Sequence, residues 1–366
     1  MSQRTIDRIF VHGYKSIKQC NVELGPLNVL IGPNGAGKSN FVSLFSLLGA
    51  IVNNQLVTTV GKAGGASKIL HHGPKNTNLL HLHAVFGVNQ YQARLVLAGS
   101  DTLVFESESC LIHDPAKYTE PFSKSLPAGG RESTLFEAAQ NPVANIFSYC
   151  RDAMLDWRVF HFHDTSATAG MKLKQPIGDN RFLRADASNL APFLYRLRTT
   201  EPSSYQRLLD QIQLVAPFFQ DFVLEPDGLN ENQIQLEWRH RSSDAYFDAS
   251  SLSDGTLRFI CLATLLLQPE PPSVIVIDEP ELGLHPFAIT QLAEILRSVS
   301  SRNQLIVSTQ SVSLLNQLDI ENIIVTEQVN GETSFHRPSI ESLERWLEEY
   351  AVGELWEKNL LGGRPK

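Results

Sequence analysis

The segment Gly32-Pro33-Asn34-Gly35-Ala36-Gly37-Lys38-Ser39 fits G-x-x-x-x-G-K-[ST] at every fixed position. An apolar segment, residues 27–31, precedes it and reads as a strand, and the apolar-rich residues 41–48 follow and read as a helix. Strand, glycine turn and helix in this order define an α/β core and constrain the fold more than any other feature of the chain. Gly32, Gly35 and Gly37 let the backbone curl so that its N–H groups converge on an anion. The helix beginning near Lys38 adds its positive end. In such a cradle Lys38 reaches the β- and γ-phosphates of a nucleotide, and Ser39 holds Mg2+. Asn34, Ala36 and Asn40 belong to the same nucleotide-binding set.

A chain of 366 residues is long enough for one large domain or two modest ones. Hydrophobic residues at 42% and charged residues at 19% are the balance of a soluble globular protein. The net charge of -8 excludes a globally basic surface and leaves room only for a local basic patch. Cys20, Cys110, Cys150 and Cys261 are far apart and form no C-x-x-C, which suits a reducing cytoplasm and argues against a disulfide frame or a zinc site. The opening Met1-Ser2-Gln3-Arg4-Thr5 lacks the apolar core of a signal peptide, and no apolar run is long enough to span a bilayer.

Residues 7–14 and 20–24 alternate as two opening strands around Gly13-Tyr14-Lys15-Ser16-Ile17. Lys15 is there either a solvated hairpin lysine or a second basic contact to nucleotide. Residues 60–74, rich in glycine and lysine, read as loop. Residues 81–86, 91–97 and 102–107 read as an antiparallel meander. His81 and His83 share a strand face, as do His161 and His163, but neither pair has a third ligand at a metal-binding spacing. Residues 123–141 read as a variable loop, and residues 157–164 as a strand. Leu190, Phe193, Leu194 and Leu197, then Tyr205, Leu208, Leu209 and Ile212, mark two helical faces; Ile234, Leu236 and Trp238 alternate as a strand. The absence of sustained heptads excludes a long coiled-coil arm.

Residues 273–277 form an apolar run expected of a strand buried on both faces, and it ends in Asp278-Glu279. A carboxylate at that tip can hold Mg2+, and the next can polarise an attacking water. Upstream, Leu252-Ser253-Asp254-Gly255-Thr256 opens an apolar helix, with Ser253 placed as its N-cap.

The order of these motifs, followed by Gly283-Leu284-His285-Pro286 and Ser308-Thr309-Gln310, resembles the ABC-type ATPases, and within them the RecF/SMC/OLD-like branch. Gly13-Tyr14-Lys15-Ser16 looks like that branch's opening signature. Trp157 to Ser166 and Asn180 to Arg184 look like patterns of the small stand-alone bacterial AAA-family ATPases that lack a coiled coil and a Toprim domain. The resemblance covers residues 6–318. It implies a P-loop NTPase head of ABC type with an antiparallel β lobe and a helical insert. Its parts would be residues 1–166 (first lobe), 167–250 (insert) and 251–366 (second lobe), forming one composite ATPase domain.

The resemblance also implies roles. Lys38 and Ser39 match the Walker A pair, Asp278 the magnesium ligand and Glu279 the catalytic base. Ser253 and Gly255 match the signature that meets the γ-phosphate held by the other protomer, and residues 283–285 match the D-loop. Two positions depart from the pattern: Asp254 stands where transporters usually have glycine, and Gln310 where histidine often is. Glutamine can orient water or sense the γ-phosphate but takes up no proton near neutral pH. By position, residues 163–165 are the Q-loop candidate.

The function so implied is a slow, cytoplasmic, Mg2+-dependent ATPase that forms an ATP-dependent homodimer. Family analogy adds a role in DNA repair or anti-phage defence, with DNA and a separately encoded effector protein as partners and no membrane. The alternative is a nucleotide-gated switch that controls a partner with little turnover. A transporter motor is disfavoured by the Lys15 opening, the strand-rich insert and Gln310. A nuclease activity would need a separate chain, because residues 312–366 are too few for a nuclease domain and offer only a strand pair around Asn330-Gly331 and an amphipathic helix.

Overall fold

β1 (Arg8–Tyr14) and β2 (Ile17–Glu23) form the opening antiparallel hairpin of a computed structural model that describes residues 4–140 and 145–363. The reading placed on the Met1-Ser2-Gln3 opening lies outside the described residues. β3 (Leu27–Ile31), with every residue buried, leads into the glycine loop, and α1 (Lys38–Val52) leaves it. Residues 60–74 are not the loop their glycines suggest. α2 (Leu56–Lys62) and α3 (Ala66–Ile69) form there because Leu56, Val60, Ala66 and Ile69 are all buried. Gly64 and Gly65, at φ 90° and 102°, turn the chain between the two helices rather than dissolving them.

β4 (Leu79–Phe86), β5 (Asn89–Ala98) and β6 (Thr102–Ile112) form the expected meander, each longer than its sequence pattern. Part of residues 123–141 is also regular: β7 (Phe122–Leu126) pairs with β6, and α4 (Leu135–Ala138) is pinned by buried Leu135. β7 is an edge strand held by backbone bonds, with only Leu126 buried, so it carries no apolar alternation. The part of that reading that falls on Asn141 lies outside the described residues. α5 (Ile146–Leu155), capped by the Asn145 side chain, then leads to β8 (Trp157–Phe160).

The insert contains β9 (Gln175–Pro176), α6 (Leu190–Thr200), α7 (Pro202–Val215), β10 (Phe219–Val223), β11 (Pro226–Asp227), β12 (Asn230–Ile234), β13 (Glu237–His240) and β14 (Tyr246–Asp248). The remainder is α8 (Asp254–Leu267), β15 (Val274–Asp278), α9 (Pro286–Ser300), β16 (Gln304–Thr309), α10 (Val312–Leu315), β17 (Ile323–Val329), β18 (Glu332–His336), α11 (Ile340–Leu347) and α12 (Val352–Glu357). The longest helices among the described residues have 15 residues, too few for a coiled-coil arm.

Two six-stranded sheets organise the chain: an antiparallel one, β2-β1-β4-β5-β6-β7, and one in the order β18-β17-β3-β16-β15-β8 that is parallel except for β18. Strand alternation in the parallel sheet sorts its side chains between two cores. Leu30, Val274, Val276 and Ile306 face α1 and the antiparallel sheet. Val29, Ile275, Ile277 and Val307 face α8, α9 and the insert helices. The side chain of Gln304 ties the two sheets together. It accepts from Ile6 N at 2.8 Å and donates to Ile6 O at 2.7 Å and Gly25 O at 2.9 Å.

Candidate active site

The glycine loop is shaped from outside as well as by its own residues. Gly37 sits at φ 109°, and a Cβ there would run into the Thr333 side chain of β18. Thr333 Oγ1 donates to Ala36 O at 3.0 Å and lies in hydrogen-bond contact with Ser16 Oγ at 2.7 Å, and Asn40 Nδ2 donates to the same Ser16 Oγ at 2.7 Å. The β1–β2 turn and the β17–β18 hairpin therefore brace the loop from two sides. Lys38 Nζ donates to Gly32 O at 2.6 Å and Pro33 O at 3.1 Å. Burial holds its ammonium below the ordinary lysine value, while the carboxylates of Glu279, Asp278 and Glu281 pull the other way.

Parallel register brings the second half of the site to the same sheet edge. Asp278 pairs with Ser308 and Thr309 with Ile31, so Asp278 lies two strand spacings, about 10 Å, from the loop's strand. Ser308 Oγ donates to Asp278 Oδ1. Glu279 adopts φ 45°, a left-handed conformation costly for a residue with a Cβ, and its N–H donates to Ser308 O at 2.9 Å. Gln310 Nε2 donates to Glu279 Oε1 at 2.6 Å and to Asn34 Oδ1 at 2.7 Å. Asn34, Gly35, Ala36, Gly37, Lys38, Ser39, Asn40, Glu279 and Gln310 line one cavity of about 170 Å3.

The signature residues lie outside that cavity. Ser253 caps α8, its Oγ accepting from Thr256 N at 3.2 Å. Gly255 packs so closely on the Gly283 carbonyl that a Cβ would overlap it. Arg258, one turn along α8, donates to Phe162 O at 3.2 Å, His163 O at 2.9 Å and Leu282 O at 3.0 Å. His163 Nε2 in turn donates to Asp278 O at 2.8 Å. One arginine thus joins the signature helix, the residues 163–165 and the turn after Glu279.

Lys15, also outside the cavity, turns at φ 48° and donates from Nζ to Ser43 Oγ on α1 at 2.8 Å. Gln92 Nε2 donates to His81 Nε2 at 2.7 Å, and His83 Nε2 donates to Gln90 Oε1 at 2.8 Å. Among the described residues no group of three or more His, Cys, Asp and Glu is placed to hold a metal. All four cysteines are free and buried.

Sequence reading missed Thr333, Arg258 and Glu281. Thr309 Oγ1 donates to Glu281 Oε1 at 2.5 Å, and burial pushes the Glu281 carboxyl above its ordinary value. Glu281 stands two residues after Glu279 and could have been flagged as a third acid; Thr333 and Arg258 act on distant backbone and leave no local pattern. The donor set fits a magnesium nucleotide. The Ser39 hydroxyl, which lines the cavity, and the Asp278 carboxylate, which lies outside its lining and accepts from Ser308 Oγ, are hard oxygen donors of the type Mg2+ takes, and the loop between β3 and α1 is one that only glycine can form at position 37.

Residues 140–316 match the family model described as "AAA domain, putative AbiEii toxin, Type IV TA system". That span holds Ser253, Gly255, Asp278, Glu279 and Gln310, while the glycine loop lies before it. No curated protein matches the chain. A SmcHead solved bound to the C-winged helix domain of ScpA is similar at TM-score 0.56 and 16% identity, over 93% of this chain and 99% of that one. An Smc head domain with an extended coiled coil, bound to the C-terminal domain of ScpA derived from Pyrococcus furiosus, is similar at TM-score 0.54 and 15% identity, over 94% and 98%. At such identities the likeness is one of fold. The chain has the P-loop NTPase fold of an ABC-type ATPase head.

Proposed function

We propose that this chain is a Mg2+-dependent ATPase of the RecF/SMC/OLD-like branch that works as an ATP-sandwiched homodimer, with residues 1–166, 167–250 and 251–366 as parts of one composite domain. The observation that carries the reading is the Gln310 side chain, which joins Asn34 of the phosphate loop to Glu279 at the tip of β15.

In this reading Lys38 exchanges its two loop carbonyls for the β- and γ-phosphates, and the backbone of residues 34–39 holds the phosphate chain. Ser39 and Asp278 would hold Mg2+, which when bound neutralises charge on the phosphates. Glu279 accepts the proton of the attacking water, and Gln310 orients that water. Ser253 and Gly255 serve the nucleotide of the second copy, since neither lines the cavity that contains Lys38.

Analogy with that branch adds, as part of the proposal, a DNA-linked role in repair or anti-phage defence, with DNA and a separate effector protein as partners. Among the described residues no helix is long and apolar enough to cross a membrane, and we place the protein in the cytoplasm. A second reading, a nucleotide-gated switch with little turnover, is favoured by one feature: both N–H donors of the Gln310 amide are taken by Glu279 and Asn34, and one must be released before it can donate to a γ-phosphate or a water. Turnover measured with and without nucleic acid separates the two readings.

Glu279→Gln tests the cycle. A lost general base costs about 10²–10⁴ in rate. The variant should accumulate as an ATP-dependent dimer in sedimentation velocity, and Lys38→Ala should abolish ATP binding by calorimetry. A Glu279→Gln chain that stays monomeric at saturating ATP contradicts the sandwich.

A further inference from the structure

Asp254, the first residue of α8, lies between the Ser253 cap and Gly255. Its carboxylate is 62% exposed at the helix end that, in the sandwich reading, meets the other copy's γ-phosphate. The helix dipole favours an acid there, but the same charge opposes an approaching phosphate. Lys172, in the single turn Gly170–Lys172 of the insert, comes within 3.7 Å of Asp254 Oδ1. The Lys172 side chain is only 8% exposed, and its ammonium donates to Thr165 O at 2.6 Å. Its own carbonyl accepts from Gln235 Nε2 at 3.1 Å, so the turn that carries it is held as well.

A buried ammonium with few rotamers left is a fixed charge, not a surface lysine that drifts into a crystal-like pair. Thr165, which anchors it, also faces Arg258: Arg258 Nη2 lies 3.4 Å from Thr165 Oγ1 and 2.9 Å from His163 O. The insert, the segment 163–165 and the start of α8 therefore share two cations.

We propose that Lys172 is a positioning residue that neutralises Asp254, so that Ser253 and Gly255 can receive the γ-phosphate of a nucleotide bound to a second copy of this chain. The inference rests on the sandwich reading. It assigns a compensating partner to the acid that stands where transporters usually have glycine, and it makes Lys172 and Asp254 energetically coupled. With Lys172 gone, Asp254 repels the phosphate. With both charges gone, the repulsion goes too.

The test uses the full chain in the Glu279→Gln background and reads the ATP-driven dimerisation constant by sedimentation. Adding Lys172→Met should weaken the dimer at least about tenfold, and adding Asp254→Gly to that should restore it to within about threefold. ATP affinity of the monomer, read by calorimetry, should not change in either. Lys172→Met without effect on the dimer, or a loss that Asp254→Gly leaves unrepaired, overturns the inference; the second result would reduce Lys172 to a structural bond to Thr165. Asp254→Asn alone, at an exposed position, decides the matter if Lys172→Met does not fold. It should leave the dimer as tight or tighter, and a weaker dimer overturns the inference. Should the Glu279→Gln parent itself fail to dimerise, the sandwich reading falls and takes this inference with it, whereas a dimer indifferent to Lys172 and Asp254 removes the inference alone.

Discussion

Gln310 Nε2 lies 2.6 Å from Glu279 Oε1, and the same nitrogen lies 2.7 Å from Asn34 Oδ1. The side chain that follows β16 therefore ties the tip of β15 to the glycine loop, and in the proposed mechanism this couples the general base to the phosphate cradle before any reaction begins. Gln310→Ala should lower kcat by roughly 10- to 100-fold, the range of a lost orienting group, with ATP affinity nearly unchanged. Steady-state kinetics combined with calorimetry checks this. A Gln310→Ala chain with unchanged kcat would leave the amide with no part in the reaction.

Arg258 supplies a second prediction. It donates to three backbone carbonyls, of Phe162, His163 and Leu282. Arg258→Ala should cost about 1–3 kcal/mol in urea unfolding, because it leaves those carbonyls short of a donor. Arg258→Lys should not recover the loss, since one ammonium cannot span the fork of a guanidinium. Full recovery by lysine would mean that charge, not geometry, matters at this position.

Glu281 makes a prediction about pH. One of its oxygens accepts from Thr309, and the other, Oε2, is buried without a partner. Burial raises its carboxyl above the ordinary 4.5. The folded chain then keeps a proton that the unfolded chain has released, so stability falls as pH rises from the unfolded value through the raised folded value. Glu281→Gln should flatten that fall in denaturant titrations across the window. Glu108, also raised by burial, retains its own share of the slope. An unaltered slope in Glu281→Gln would show that the carboxyl is not shifted.

The sequence displayed what is local. Residues 27–41 carry a strand, a glycine turn and a helix start in one stretch, and Ser253 reads as a cap because the cap bond closes within three residues. The meander of β4, β5 and β6 was visible through its alternation, since one face of that sheet is buried and the other is not. α2 and α3 were hidden by glycines whose turns lie between short helices rather than in place of them. β7 was hidden because an edge strand that buries only Leu126 is held mainly by main-chain bonds and shows no apolar alternation. Thr333, nearly 300 residues from the loop it braces, and Arg258, whose partners are carbonyls, belong to tertiary geometry that no spacing encodes.

In the sandwich reading each active site is completed by a second copy of the chain. Lys38→Ala disables the cradle, and Ser253→Arg blocks the end of α8 that meets the other copy's phosphate. Each variant alone should be inactive. In a mixed dimer one site carries both lesions and the other carries neither. The measurement is the ATPase rate of the two inactive variants mixed at increasing total protein. Returning activity, with specific activity that rises with concentration, is the predicted result. No recovery on mixing, together with a wild-type rate per molecule that stays flat on dilution, would mean that each chain hydrolyses ATP alone.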